Sequence, residues 1–143
     1  MTEAKLSTTQ LQELCSRCPF NRWLALAVLD SGPGEITMEL PWKRDLLSSP
    51  ELNLVHGGVI AALIDTACGY AAASLLGHGV PTVDLTTDYH RSAVEGPIRA
   101  KAKVVKRGHT LSFVECTISD CEGRHVASGR TVVMSSRVTN PSR

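Results

Sequence analysis

The chain has 143 residues, 43% of them hydrophobic and 20% charged, and a formal net charge of +1. That describes one globular domain with enough apolar material for a core. The near-neutral charge argues against general binding to nucleic acid or to anionic membranes, and any basic cluster must be a local patch. Met1 to Leu14 is polar and acidic with no apolar run, so no signal peptide is expected and the protein is expected to be cytoplasmic. Five cysteines, an odd number, suit a reducing compartment. Cys15 and Cys18 have the CxxC spacing, and Cys116 and Cys121 form a looser pair. A zinc site would need the two pairs to meet in space, so free thiols and no metal are expected.

In chain order, Ser7 to Cys18 reads as a short amphipathic helix capped by Ser7, Thr8 or Thr9 and ended by Pro19. Arg22 to Leu29 is an apolar run consistent with a strand. Ser31 to Gly34 is a turn. Glu35 to Leu40 then alternates, with Ile36, Met38 and Leu40 inward, which makes a hairpin with the run before it. Pro41 to Asn53 reads as a loop.

Val55 to Leu76 is the longest regular stretch. It is rich in Ala and Leu, has no Pro, and predicts a helix of roughly 30 Å that is buried nearly all round. A membrane span fits it poorly, because Asp65 sits near mid-length among several glycines. After Gly77 to Gly79 the period becomes twofold. Thr82 to Arg91 is a strand with Val83, Leu85, Thr87 and Tyr89 on one face and Thr82, Asp84, Thr86, Asp88 and His90 on the other. Ile98, Ala100, Ala102 and Val104 mark the next strand. Thr110 to Ser119 and His125 to Ser135 follow, separated by short turns that imply antiparallel pairing. No internal repeat or low-complexity segment interrupts this order, and the tail Asn140–Arg143 is expected to fray. The fold class is α+β: a single antiparallel sheet curled around one helix.

Asp65 carries the chemistry. An unpaired carboxylate in apolar surroundings costs several kcal/mol, so it is either bonded structurally or catalytic. His56-Gly57-Gly58 favours the second reading. Two glycines at a helix start let a substrate oxygen approach unpaired N–H groups at the positive end of the dipole, an arrangement that stabilises an oxyanion. Gly57 and Asp65 are eight residues apart, about 12 Å along one helix. If Gly57 polarises a carbonyl that Asp65 attacks, the two must come from neighbouring subunits of a two-fold dimer.

The string V-H-G-G-V-I-A-A-L-I-D-T-A, with T-V-D-L-T-T-D-Y, G-P-I-R-A-K-A-K-V, K-R-G-H-T and A-S-G-R-T downstream, resembles the hotdog-fold acyl-CoA thioesterases of the phenylacetic-acid-degradation (PaaI-type) group. The likeness spans a core of about 20–136 within a single 1–143 domain. It implies a six-stranded antiparallel sheet wrapped around a central helix, a homodimer with a continuous sheet, and often a dimer of dimers. It also implies hydrolysis of acyl-CoA with no metal and no separate cofactor, CoA being part of the substrate. Carried over by position, Asp65 matches the catalytic carboxylate, Gly57 the residue whose N–H polarises the thioester with Gly58 beside it, and Thr82 a Ser or Thr that holds the attacking water. Where many relatives have Asn or Gln six residues before the motif histidine, this chain has Pro50; Asn53 is the nearest amide.

Asp65 would act as nucleophile or as general base, and His56, a catalytic-site candidate, would fix the loop at the helix start by hydrogen bonding in preference to a proton-transfer role. For the CoA phosphates, Arg91, Lys101, Lys103, Lys106, Arg107, Arg124 and Arg130 are candidates. The turn Lys106-Arg107-Gly108-His109 combines charge with exposed backbone N–H groups, so the pantetheine arm would run from it towards the helix start. Two other functions remain open: a hotdog hydratase or dehydratase, poorly suited by the nine-residue spacing from His56 to Asp65, and a non-catalytic acyl-CoA binding protein.

Overall fold

The structure, a computed structural model, describes residues 3–137. The tail expected to fray lies outside them. In chain order the elements are α1 (Thr8–Arg17), α2 (Pro19–Trp23), β1 (Ala27–Gly32), β2 (Glu35–Leu40), a 3-10 turn (Arg44–Leu46), β3 (Leu47–Ser49), β4 (Leu54–Val55), α3 (Gly57–Leu76), β5 (Thr82–Tyr89), β6 (Ile98–Arg107), β7 (Leu111–Ser119) and β8 (His125–Met134). Six strands form one antiparallel sheet in the order β1-β2-β6-β7-β8-β5, and β3 pairs with β4 apart from it. This is the expected six-stranded sheet around a long central helix. β5 does not pair with its successor. The chain carries it across to the far edge, beside β8.

α3 is the axis of the fold. Ten of its 20 residues are buried, among them Ile60, Leu63, Ile64, Ala67 and Leu75. The sheet meets them with Met38, Ile98, Ala100, Ala102, Val104, Val114 and Ile118, all at most 3% exposed. The alternation expected for β2 and β6 holds residue for residue. On β7 the buried face is Ser112, Val114, Cys116 and Ile118, while Leu111, Phe113 and Glu115 lie on the opposite face. α3 runs close to β8, because Gly129 leaves the sheet bare there: a Cβ at Gly129 would sit 2.5 Å from Ile64 Cγ2. Though long and apolar enough to cross a membrane by composition, α3 has half its residues inside the sheet.

Four expectations are corrected. α3 is not buried all round: Ala62, Thr66, Gly69 and Tyr70, at helical spacing on one stripe, are only half-buried. The sheet curls round one side and leaves that stripe open. Residues 22 and 23 are helical, not strand. Pro19 stops α1 but also starts α2 from its first position, where a missing N–H costs nothing; β1 then begins only at Ala27. The loop before α3 contains the short β3–β4 pairing. Finally, the face expected for Thr82 is reversed. A register shift between Thr82 and Asp84 makes Val83 a bulge. Thr82 therefore pairs with Val133 and, though exposed, turns its side chain to the α3 side, where it reaches Asp65, and Val83 is 56% exposed.

Candidate active site

That bulge brings two site residues together. Thr82, turned inward at the start of β5, donates its hydroxyl to Asp65 Oδ1 at 2.7 Å. Asp65 lies on the open side of α3, half-buried, at a groove of about 370 Å³. The groove is lined along α3 by Ala62, Thr66, Gly69 and Tyr70, and opposite them by Cys18, Phe20 and Asn21 from the α1–α2 corner. Gly69 leaves space: a Cβ there would meet nothing within 4 Å. A mid-helix Gly is disfavoured by about 1 kcal/mol against Ala, and no packing within the described chain offsets that. At the far end, Asn21 Nδ2 donates to Tyr70 Oη at 3.1 Å. Burial, with the Cys15 thiol nearby, pushes Tyr70 up to about 12, so it stays a neutral phenol. The groove thus runs from a carboxylate to a neutral polar pair.

The start of α3 is the second component. His56 is the N-cap in an extended conformation, and its Nδ1 accepts from the Gly58 N–H at 2.8 Å. That fixes the neutral tautomer with the proton on Nε2. It also engages Gly58, one of the two amides expected to face a substrate. The Val59 N–H goes to the His56 carbonyl at 3.0 Å. Among the described residues the Gly57 N–H has no acceptor, which leaves it as the open donor at the positive end of a 20-residue helix. Tyr89, at the other end of β5, donates its hydroxyl to the Gly57 carbonyl at 2.7 Å. Within one chain, Gly57 and Asp65 remain about 12 Å apart along α3.

The remaining candidates disperse. Arg91 is exposed and lies two residues beyond Tyr89, on the helix-start side. Of the expected Lys106–His109 turn, Lys106 and Arg107 prove to be the last residues of β6, paired with Phe113 and Ser112, and only Gly108 and His109 lie in the turn. This end of β6 is at the other end of α3: Arg107, Gly108 and His109 share a surface hollow with Lys5, Leu76, His78 and Ser135. A pantetheine arm running from this turn to the helix start of the same chain would have to cover roughly 30 Å, the length of α3. Lys103 pairs with Glu35 and Arg124 with Asp120, and Arg130 opposes Glu115 on the outer face of the sheet. Pro50 and Asn53 bracket the β3–β4 turn, where Asn53 adopts a left-handed φ of 53°. Cys15 is buried, and burial with the nearby Cys18 pushes it up to about 11. Cys116 faces the Cys68 thiol of α3, and that hydrogen bond together with burial pushes it up. The sequence offered no pattern for Asn21 or Tyr89. Gly69 was readable as a glycine inside a helix, which calls for a packing or functional reason.

Fold and site define a class. The family model described as the thioesterase superfamily matches residues 52–127, more than half of the chain. The chain belongs to the thioesterase superfamily, and its fold is the hotdog fold of those thioester hydrolases. It is 36% identical over 119 residues to a Halobacterium salinarum protein named "putative esterase", covering 76% of this chain and 78% of that one. It is 40% identical to a thioesterase-superfamily protein of known X-ray structure, with a TM-score of 0.84 over 87% of this chain and 94% of that one. The Escherichia coli PaaI protein of the phenylacetic acid degradation operon shares the fold at 21% identity, with a TM-score of 0.78 over 85% of this chain and 87% of that one.

Proposed function

We propose that the protein hydrolyses acyl-CoA thioesters to free acid and CoA in the cytoplasm, at sites shared between two copies of the chain. Asp65 serves as nucleophile, forming a mixed anhydride that water then opens, or as general base on that water. Thr82 orients the carboxylate. The Gly57 N–H of the second copy polarises the thioester carbonyl and stabilises the oxyanion. The thiolate is a good leaving group and needs no dedicated acid. The acyl chain lies in the groove along Ala62, Gly69 and Tyr70. CoA phosphates are met by basic groups at the rim, with Arg91 on the helix-start side and Lys106 to His109 at the far end of α3.

One observation carries this reading. The sole charge of an otherwise apolar helix opens onto a groove, with its carboxylate held by a hydroxyl at 2.7 Å. The dimer follows from the separation of Asp65 and Gly57. Support comes from β5, an edge strand carrying exposed Val83 and Tyr89, which a second copy could extend into a continuous sheet and, in turn, a dimer of dimers. The hydratase alternative is disfavoured, because the one acceptor nitrogen of His56, Nδ1, is taken by the Gly58 N–H, which leaves the ring no basic nitrogen to accept a substrate proton.

Release of free thiol from a panel of acyl-CoAs tests the proposal, with native protein and Asp65→Asn compared. Turnover by the native protein, lost in the variant while CoA binding persists, is the expected result. Binding without turnover by the native protein would instead mark an acyl-CoA binding protein, and water addition to an enoyl-CoA would mark a hydratase.

A further inference from the structure

β5 makes two side-chain hydrogen bonds to α3, and each ends on a group of the proposed site. Thr82 bonds Asp65, and Tyr89 bonds the Gly57 carbonyl. The second is not needed to satisfy either partner. Tyr89 is 54% exposed, so water could serve its hydroxyl. The Gly57 carbonyl lies in the first turn of α3, where the helix supplies its own donor four residues on. The bond therefore does something else.

What it holds is the Gly57–Gly58 peptide. The carbonyl of that unit accepts from Tyr89, and its N–H donates to His56 Nδ1, so the unit is pinned at both ends. The Tyr89 ring lies against Gly57 as well: a Cβ there would come within 3.3 Å of Cζ and of Oη. Two adjacent glycines at a helix start have the widest backbone freedom of any pair, and helix ends fray. Without a clamp the direction of the Gly57 N–H would be loosely defined. A hydrogen-bond donor must be aimed before the reaction if it is to stabilise developing charge.

We infer that Tyr89 is a positioning residue: with His56 it immobilises the Gly57–Gly58 peptide, which limits the two backbone rotations at Gly57 and so aims the N–H of the adjoining His56–Gly57 peptide at the thioester carbonyl. This rests on the thioesterase reading of Gly57. Tyr89 touches no reacting atom and acts through the backbone it holds.

Tyr89→Phe keeps the ring and removes the bond. Its kcat on acyl-CoA should fall about tenfold, the equivalent of one hydrogen bond, with KM changed less than about twofold and thermal midpoint and oligomeric state unchanged. Tyr89→Leu, which loses the ring too, should fall further. Because Tyr89 and His56 hold one peptide, His56→Ala and Tyr89→Phe combined should cost less than the product of their separate effects. Amide hydrogen exchange at Gly58, whose N–H donates to His56, should quicken in Tyr89→Phe whether or not substrate is present. A kcat within twofold of native, a loss wholly in KM, or unchanged exchange at Gly58 overturns the inference. If the native protein hydrolyses no acyl-CoA, the thioesterase reading fails instead, and the exchange measurement still decides on the clamp.

Discussion

Thr82→Val replaces the hydroxyl that holds Asp65 with a methyl of the same shape. The bond removed is 2.7 Å long and ends on a carboxylate. Bonds to charged groups contribute about 1.5–3 kcal/mol when shielded from water. Thr82 is exposed in the single chain, so water can partly replace the hydroxyl, and the lower end of that range applies. A loss of about 1.4 kcal/mol corresponds to a tenfold lower kcat. Val is at least as good a strand residue as Thr, so the thermal midpoint should stay where it is. KM should move little, because the lost contact orients the attacking group and not the substrate. The assay is continuous detection of CoA thiol with one acyl-CoA at saturating and limiting concentrations. Thr82→Ser, which keeps the hydroxyl, should retain activity within about threefold, since only the bond to the carboxylate matters here. If Thr82→Val equals native, or if Thr82→Ser is as impaired as Thr82→Val, the hydroxyl does not serve Asp65 in catalysis and the reasoning from the bulge fails.

Gly69→Leu should fold at least as stably as native, because its Cβ meets open space and Leu is the better helix former by close to 1 kcal/mol. Its activity on long acyl-CoAs should drop while acetyl-CoA is spared, as read from a chain-length series; equal losses at every length would contradict the acyl groove. Gly129→Ala should lose about 1–3 kcal/mol in a denaturant melt, since its Cβ would lie 2.5 Å from Ile64 Cγ2. Adding Ile64→Ala should cost less there than in the native background. Asp120 is buried. Burial alone would raise its carboxyl, but bonds from the Arg124 N–H and guanidinium and from the Glu122 N–H outweigh it and hold it below the usual range. Its stabilisation is therefore complete above the unfolded-chain value of about 3.9 and is lost as pH falls through the lower folded value. Asp120→Asn should lower stability at neutral pH and flatten the acid limb below about pH 4; an unaltered acid limb would contradict that.

The large features were legible because each rests on a local pattern. The apolar run holding His56, Gly57, Gly58 and Asp65 announced both the axis of the fold and its reactive end. Strict alternation in Ile98 to Val104 fixed which face of β6 meets the helix. What escaped depended on a single extra residue or on distant partners. One bulged residue, Val83, reverses Thr82, and alternation counted from Leu85 could not register it. Pro19 carries two signals, end and start, and only the first was read. The Gly58 amide looked free until the His56 ring was seen folded onto it. The Tyr89–Gly57 bond joins residues 32 apart, and no periodicity reports such a meeting. The open stripe of α3 was hidden because Ala62, Thr66, Gly69 and Tyr70 are small or amphipathic and look compatible with either side.

The central claim is that one site draws Asp65 from one copy and Gly57 from another. It is tested by mixing two inactive variants, Asp65→Asn and Gly57→Pro. The second deletes the amide proton at the first helical position, where the backbone tolerates Pro and His56 already has the extended φ of −60° and ψ of 129° that a following Pro requires. Its Cβ, at 3.3 Å from the Tyr89 ring, also displaces Tyr89, which belongs to the same half of the site. After the subunits are unfolded and refolded together, half of the dimers should be mixed. Each mixed dimer holds one intact site of two, so about a quarter of native turnover should return. If the refolded mixture is as inactive as either variant alone, while its subunits demonstrably exchange, the shared site is contradicted.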